Sequence, residues 1–141
     1  WFEKEFPDDV GEPAFLLYAA LAYYRVGSLG RARGYLLDTM LSNIYLLPYL
    51  FSRPMPKQDM WHSSNWAQPD YIEEIEELLE GPTSQEREWF QEQFENELFT
   101  SIRSKCIETF HALQHAKELD FRRRILGEWR DYVSSCRANE I

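Results

Sequence analysis

The sequence predicts an all-α protein, and three observations support this class. No segment alternates apolar and polar residues as a half-buried strand does. Apolar residues instead recur at intervals of three and four, as on one face of a helix. The chain has 141 residues, of which 16 % are aromatic, so it has the length and composition of one folded domain rather than of a disordered segment.

The first predicted unit is a helical hairpin. Residues 14–26 are strongly apolar and predict a helix, with Pro13 in its first turn and Gly27 at its end. Ser28 is expected to cap a second helix at about 30–43. Because the turn is very short, we expect the two helices to pack antiparallel.

A different composition follows at residues 47–69, which we call the strap. Its prolines exclude a long helix, and its tryptophans argue against a flexible, disordered linker. These residues are Pro48, Pro54, Pro56, Pro69, Trp61 and Trp66. We expect an irregular, extended segment that lies over the helices and is pinned to them by the tryptophans.

Helical periodicity resumes at residue 70. Asp70 is predicted to cap a short helix that runs to Glu80. Ile72, Ile75 and Leu79 fall on one face of this helix and are expected to be buried.

The rest of the chain predicts long helices. Thr83 and Glu86 have the spacing of a capping box. One apolar stripe runs from Phe90 to Leu113 and a second from Phe121 to Cys136, and a break is expected at 117–120 because a single very long helix is unusual in a small domain. We therefore predict one helical domain over 1–141, with the C-terminal helices at 70–137.

The formal net charge is −9, and it is confined to one region. Residues 71–100, which we call the acidic segment, contain ten acidic residues and one basic residue, while the rest of the chain is neutral. This balance disfavours binding to nucleic acid and favours a basic partner. No run of 18 apolar residues is present, so we expect no membrane-spanning helix.

The hairpin carries a recognisable pattern. It has small residues where two helices would approach closely, an aromatic residue in the first helix, a glycine at the turn and a bulky apolar residue in the second helix. These are Ala20, Ala32, Tyr23, Gly27 and Leu36. Residues 13–46 therefore resemble one tetratricopeptide repeat. The pattern departs from the repeat at Leu16, Thr39 and Ile44.

The resemblance implies a protein-interaction module or scaffold that works in the cytoplasm without catalytic activity. Residues 1–12 resemble the end of a preceding helix, and the chain starts at Trp1 rather than at Met. We therefore expect further repeats upstream of this chain.

The resemblance also implies a concave face on the first helix. That face would comprise Ala14, Leu17, Leu21, Tyr24 and Arg25, of which the last four are the candidate partner-binding residues. Two interpretations stay open. The groove is filled by the protein's own helices, which we favour, or it accepts an apolar peptide or helix of a partner.

Two histidines have the spacing of metal ligands. His111 and His115 lie four residues apart, and Glu108 lies three residues before His111, as in half of a di-iron carboxylate site. These residues lie on the side of the helix opposite to the apolar stripe. We therefore expect them to face solvent and predict no metal site.

The cysteines give no sign of catalysis. Cys106 and Cys136 both fall on apolar stripes, and we expect them to be buried and reduced, with a disulfide as the less favoured alternative. His62 could approach either thiol, but nothing in the sequence favours this pairing. The chain also has no Gly-rich phosphate loop and no Cys-x-x-Cys motif, so we predict no catalytic residues and no cofactor.

One cluster in the strap supports an alternative function. Trp61, His62, Asn65 and Trp66 could frame a pocket for a small molecule or a metal, as in an enzyme or ligand-binding helical protein. We favour the simpler interpretation, in which the two tryptophans only pin the strap.

The basic run Arg122–Arg124 has three interpretations. We favour local pairing of Arg124 with Asp120 and Glu128, each four residues away. Docking against the acidic segment and binding of a phosphate group are the alternatives. For the whole chain we predict a protein or peptide partner, with a second copy of the chain as a further candidate.

Overall fold

The computed structural model describes residues 11–140, with side chains described as far as Arg137. Over this range the chain is all-α, as predicted, with seven α-helices and no strand. The helices are α1 (Pro13–Arg25), α2 (Leu29–Ser42), α3 (Leu46–Leu50), α4 (Tyr71–Glu74), α5 (Ser84–Phe94), α6 (Glu97–His115) and α7 (Leu119–Glu140). Of the preceding helix expected to end within residues 1–12, residues 1–10 lie outside the described residues, and Gly11 and Glu12 are not helical.

The α1–α2 hairpin forms close to its predicted bounds. Pro13 occupies the first turn of α1, where its missing N–H costs no hydrogen bond. Gly27 ends the helix with a φ of +81°, a conformation that a residue with a Cβ rarely adopts. Ala20 and Ala32 are fully buried. Ser28 occupies the N-cap position of α2, as predicted, but its side chain makes no capping hydrogen bond.

The strap is less irregular than predicted, because its first residues belong to α3. Pro48 is the third residue of this helix. The first N–H groups of a helix have no partner within it, so a proline here costs no hydrogen bond. A short helical turn at Asn65–Ala67 also lies within the strap.

Backbone hydrogen bonds and one buried amide hold the strap in place. Asn43 is only 1 % exposed, and its Nδ2 donates to the carbonyl oxygens of Trp66 and Gln68, at 2.8 and 2.9 Å. The backbone N–H of Trp61 donates to the carbonyl oxygen of Phe110 in α6, and the two rings stack. The Trp66 side chain is 44 % exposed, so only one of the two tryptophans pins the strap through its side chain.

The predicted helix over 70–80 is divided in two. It consists of α4 and a 3-10 helix at Glu76–Glu80, separated by Ile75. Ile75 and its neighbours Ile72 and Leu79 are buried, as predicted. Asp70 occupies the N-cap position of α4, as predicted, but its side chain makes no capping hydrogen bond.

Residues 84–140 form three helices, whereas the sequence predicts two after Thr83. The capping box is present, since Thr83 Oγ1 accepts from the Glu86 N–H and the Glu86 carboxylate accepts from the Thr83 N–H. The predicted break after α6 is confirmed. A second break was not predicted: Asn96 caps α6 through a 2.9 Å hydrogen bond from the Phe99 N–H.

One hydrophobic core contains buried residues from each of the first six helices, α1 to α6, and from the strap. The last helix, α7, packs against it through the partly buried residues Trp129, Tyr132 and Cys136. At the start of its predicted apolar stripe, Phe121 is 41 % exposed. Within the described range, no helix combines the length and the apolar character needed to cross a membrane.

Candidate functional site

The predicted concave face of α1 is not open to a partner. Leu17 and Leu21 lie buried in the core. Tyr24 packs against Trp89 of α5, with the ring centroids 5.0 Å apart. The protein itself therefore covers Leu17 and Leu21, which agrees with the first of the two interpretations for these two residues, whereas Tyr24 is only partly buried and Arg25 is exposed.

Arg25, the last residue of that face, is held by α5. Its Nε and Nη2 donate to the two carboxylate oxygens of Glu86 at 2.7 and 3.0 Å. The hydrogen bonds from Arg25 lower the pKa of Glu86 to about 2, although burial of the carboxylate acts in the opposite direction. Arg25 thus joins α1 to the first turn of α5.

The four strap residues of the alternative pocket do not converge. Trp61 and His62 line a small cavity of about 30 Å³ together with Cys106. This volume accommodates about one water molecule. Trp66 lines a different cavity, and Asn65 lies in the short helical turn and borders neither of the two. The space directly beside His62 is therefore small, whereas Trp66 borders the larger of two adjoining cavities, which share Leu41, Ser42, Ser63 and Phe110.

Cys106 and His62 are poorly suited to nucleophilic catalysis. Burial raises the pKa of the Cys106 thiol to about 12, so the thiol remains protonated near pH 7. Nε2 of His62 is 2.8 Å from the hydroxyl of Tyr45, and burial lowers the pKa of this histidine. Cys106 is buried as predicted, but Cys136 is only partly buried; both are free thiols.

A larger cleft, which we call the aromatic cleft, lies between α2, α7 and the strap. Its volume is about 580 Å³. The apolar part of its lining comes from Leu41, Trp66, Phe110, Trp129 and Val133. Polar lining is supplied by four serines and by arginines of α7, of which Arg137 pairs with Asp38. Sequence reasoning missed this cleft because its walls come from segments far apart in the chain.

His111 and His115 are exposed on α6, as predicted, but they are not isolated. Both contact Asp59 of the strap: Nδ1 of His111 is 3.3 Å and Nε2 of His115 is 3.0 Å from its carboxylate oxygens. Glu108 lies beside this group, in a cleft of about 470 Å³ that Asp59 and His111 also line. The spacing of the histidines was visible in the sequence, whereas the approach of Asp59 was not.

Two arginines of the basic run make contacts that the sequence did not predict. Arg122 donates to the carbonyl oxygens of Leu113 and Ala116, at the C-terminal end of α6, and its guanidinium lies 5.4 Å from the Trp61 ring centroid. The guanidinium of Arg124 lies over the ring of Phe121. Among the ion pairs of residues 11–137, none joins these arginines to Asp120, to Glu128 or to the acidic segment.

The acidic segment keeps most of its charge exposed. Of its ten glutamates, only Glu86 is buried. Glu95 pairs with Arg53, and Glu76 accepts a hydrogen bond from the Tyr49 hydroxyl. The remaining carboxylates form a strongly negative surface.

Comparison with protein-family models found no matching family, and searches of curated proteins and of solved structures found no significant match. The sites must therefore be interpreted from their own geometry.

Proposed function

We propose that the chain is a protein-interaction module without catalytic activity, and that it receives a segment of a partner protein in the aromatic cleft. The observation that carries this proposal is the state of Trp66. Its indole is 44 % exposed in the wall of the cleft, while its backbone carbonyl is fixed by the buried amide of Asn43. The backbone that carries this large apolar side chain is thus held in place.

The composition of the cleft supports this use. Protein interfaces typically combine an apolar, aromatic centre with polar groups around it. Here Trp66, Phe110 and Trp129 supply aromatic surface, and the serines and Arg130 supply hydrogen-bonding groups. Tryptophan is also among the residues that contribute most to binding when buried by a partner. The expected ligand is a segment with one large apolar side chain.

The helical-repeat character of the hairpin is part of the same proposal. In its favour, Ala20 and Ala32 are fully buried, and Tyr23 of α1 stacks on Tyr35 of α2 with centroids 5.4 Å apart. Because Leu17 and Leu21 of α1 are buried, the partner site of this chain would lie at the C-terminal end of α2, which lines the aromatic cleft. The two free thiols fit a reducing compartment, so we also propose a cytoplasmic location.

The exposed carboxylates favour a basic partner. A net charge of −9 creates a negative field that attracts positively charged segments and speeds their encounter. The preferred ligand therefore joins a large apolar residue, bound in the cleft, to lysines or arginines that lie outside the cleft, because Arg130 and Arg137 line the cleft itself.

A matched pair of variants tests the proposal. Peptides selected from a random display library on the full chain would be titrated, by fluorescence anisotropy, into the wild type, Trp66→Ala and Met55→Ala. Met55 is an apolar strap residue with 45 % exposure, close to that of Trp66, but it does not line the cleft. We expect Trp66→Ala to weaken binding roughly tenfold or more, and Met55→Ala to leave it unchanged.

Three results would contradict the proposal. The first is a library that yields no binder. The second is equal affinity of the wild type and Trp66→Ala. The third is a wild type that is dimeric in sedimentation and becomes monomeric on Trp66→Ala, since the cleft would then join two copies of this chain.

A further inference from the structure

We propose that Asp59, His111 and His115 form a binding site for a divalent transition-metal ion of the zinc class. The observation is the convergence of three ligand-type side chains from two distant segments. One ligand atom from each residue lies within 4.8 Å of the other two. We call this group the histidine cluster.

The spacing of the ligand atoms suits such an ion. Zinc binds imidazole nitrogen and carboxylate oxygen at about 2.0–2.2 Å in a tetrahedron, which places neighbouring ligand atoms about 3.3–3.5 Å apart. In the histidine cluster the nitrogens of His111 and His115 lie 3.3 and 3.0 Å from the Asp59 carboxylate. Both distances are within a few tenths of an ångström of that separation, and all three ligand atoms lie within 4.8 Å of one another, so the approach of the two histidine nitrogens completes the set.

Each ligand is held by its own element. His111 and His115 lie one turn apart on α6, so their rings project from one face of the helix, and the ring centroids are 4.7 Å apart. Asp59 comes from the strap, where the next residue, Met60, is buried and the Trp61 N–H bonds to the Phe110 carbonyl oxygen of α6. The strap thus brings Asp59 to the histidines before any ion binds.

An ion binds an imidazole nitrogen that carries no proton, so each histidine must present such a nitrogen. In the ion-free state Nδ1 of His111 donates to the backbone carbonyl oxygen of Asp59 at 2.8 Å. When an ion takes the lone pair of Nδ1, the proton of the neutral ring resides on Nε2 instead. Nε2 of His115 similarly exchanges its hydrogen bond to the Asp59 carboxylate for a bond to the ion. The side chains of both histidines are more than half exposed, so the rings can reorient.

The site would fasten the strap to α6. Two histidines and one carboxylate leave at least one coordination position for water, so the site differs from a closed structural zinc centre. Lys57 lines the cleft next to Asp59 and His111, and its positive charge opposes binding of a cation. The proposal is independent of the partner site, because the aromatic cleft is lined by other residues.

The test is a calorimetric titration of the metal-stripped full chain with zinc chloride. Variants Asp59→Asn, His111→Gln and His115→Gln remove one ligand each, and Glu108→Gln is the control, since this carboxylate borders the same cleft outside the cluster. We expect one ion per chain, a loss of affinity of roughly tenfold or more for each ligand variant, and wild-type affinity for the control. Lys57→Gln should bind severalfold more tightly.

Hydrogen exchange gives a second readout. Zinc should slow exchange of strap amides near residues 59–61 in the wild type and have no such effect in the double variant His111→Gln/His115→Gln. The proposal is overturned by binding of less than half an ion per chain. It is equally overturned by several weak sites that survive the double variant, because these would belong to the surface glutamates.

Discussion

Glu86 shows how one residue can serve two elements. Its carboxylate accepts from the Thr83 N–H at the start of α5 and from two nitrogens of Arg25 in α1. The side chain is nearly buried, whereas that of Arg25 is 53 % exposed. Because all three bonds favour the ionised carboxylate, its pKa falls to about 2 from its ordinary value of 4.5.

The lowered pKa of Glu86 predicts a pH-dependent contribution to stability. A carboxyl group whose pKa is depressed by folding stabilises the protein fully above its unfolded pKa of about 4.5, and this contribution is lost as the pH falls towards about 2. Glu86→Gln should therefore lower the urea midpoint modestly at pH 7, with a difference from the wild type that shrinks between pH 5 and pH 3. Glu88→Gln, an exposed change in the same helix, is the control. Parallel midpoints of wild type and Glu86→Gln at every pH would contradict this account.

At the scale of single helices, Gly27 and Gly127 differ in the reason why a glycine affects stability. Gly27 has a backbone conformation that strains other residues, whereas Gly127 only lowers helix propensity. An added Cβ would meet no atom within 4 Å at either Gly27 or Gly127, but only Gly27 has a positive φ, of +81°. Gly127 lies inside α7, where alanine is the better helix former by about 1 kcal/mol.

The same substitution should therefore have opposite effects at the two positions. We expect Gly127→Ala to raise the free energy of unfolding by about 0.5–1 kcal/mol. Gly27→Ala should lower it by about 1 kcal/mol or more, because it forces a Cβ into the left-handed region. Urea denaturation of both variants gives the two values. Changes of the same sign would show that burial or the denatured state, rather than backbone conformation, governs both sites.

The helices that were predicted well had local signals. Thr83 and Glu86 form their capping box within one turn, and Gly27 ends α1 through its own backbone conformation. The errors also have local causes. Asn96 carries a capping side chain that the continuous apolar stripe obscured, and Pro48 is compatible with the first turn of a short helix.

Contacts between distant segments could not be predicted in the same way. Periodicity identified the apolar face of α7, but which part of it is covered depends on the neighbouring elements, and Phe121 remains exposed. Likewise, the four-residue spacing fixed His111 and His115 on one face of α6, while the arrival of Asp59 depends on how the strap crosses that helix. The candidate sites are built from such crossings.

At the scale of the whole molecule, charge is distributed unevenly. Glutamates of the acidic segment crowd together between residues 73 and 80, several of them three or four positions apart. The helix is interrupted at Ile75, but Glu77 and Glu80 lie three positions apart in the 3-10 helix, a spacing that places their side chains on one face, where the like charges repel. The native state therefore carries a repulsion that salt can screen.

The triple variant Glu73→Gln, Glu77→Gln and Glu80→Gln should relieve this repulsion. All three side chains are exposed, so we expect a higher melting temperature than that of the wild type at low salt and little difference in 0.5 M sodium chloride, where screening acts over about 4 Å. The control is Glu118→Gln, Glu128→Gln and Asp131→Asn, which removes the same charge from the arginine-rich part of the chain. If net charge alone were responsible, both triples would raise the melting temperature equally; a rise confined to the first would show that the local crowding of glutamates is the cause.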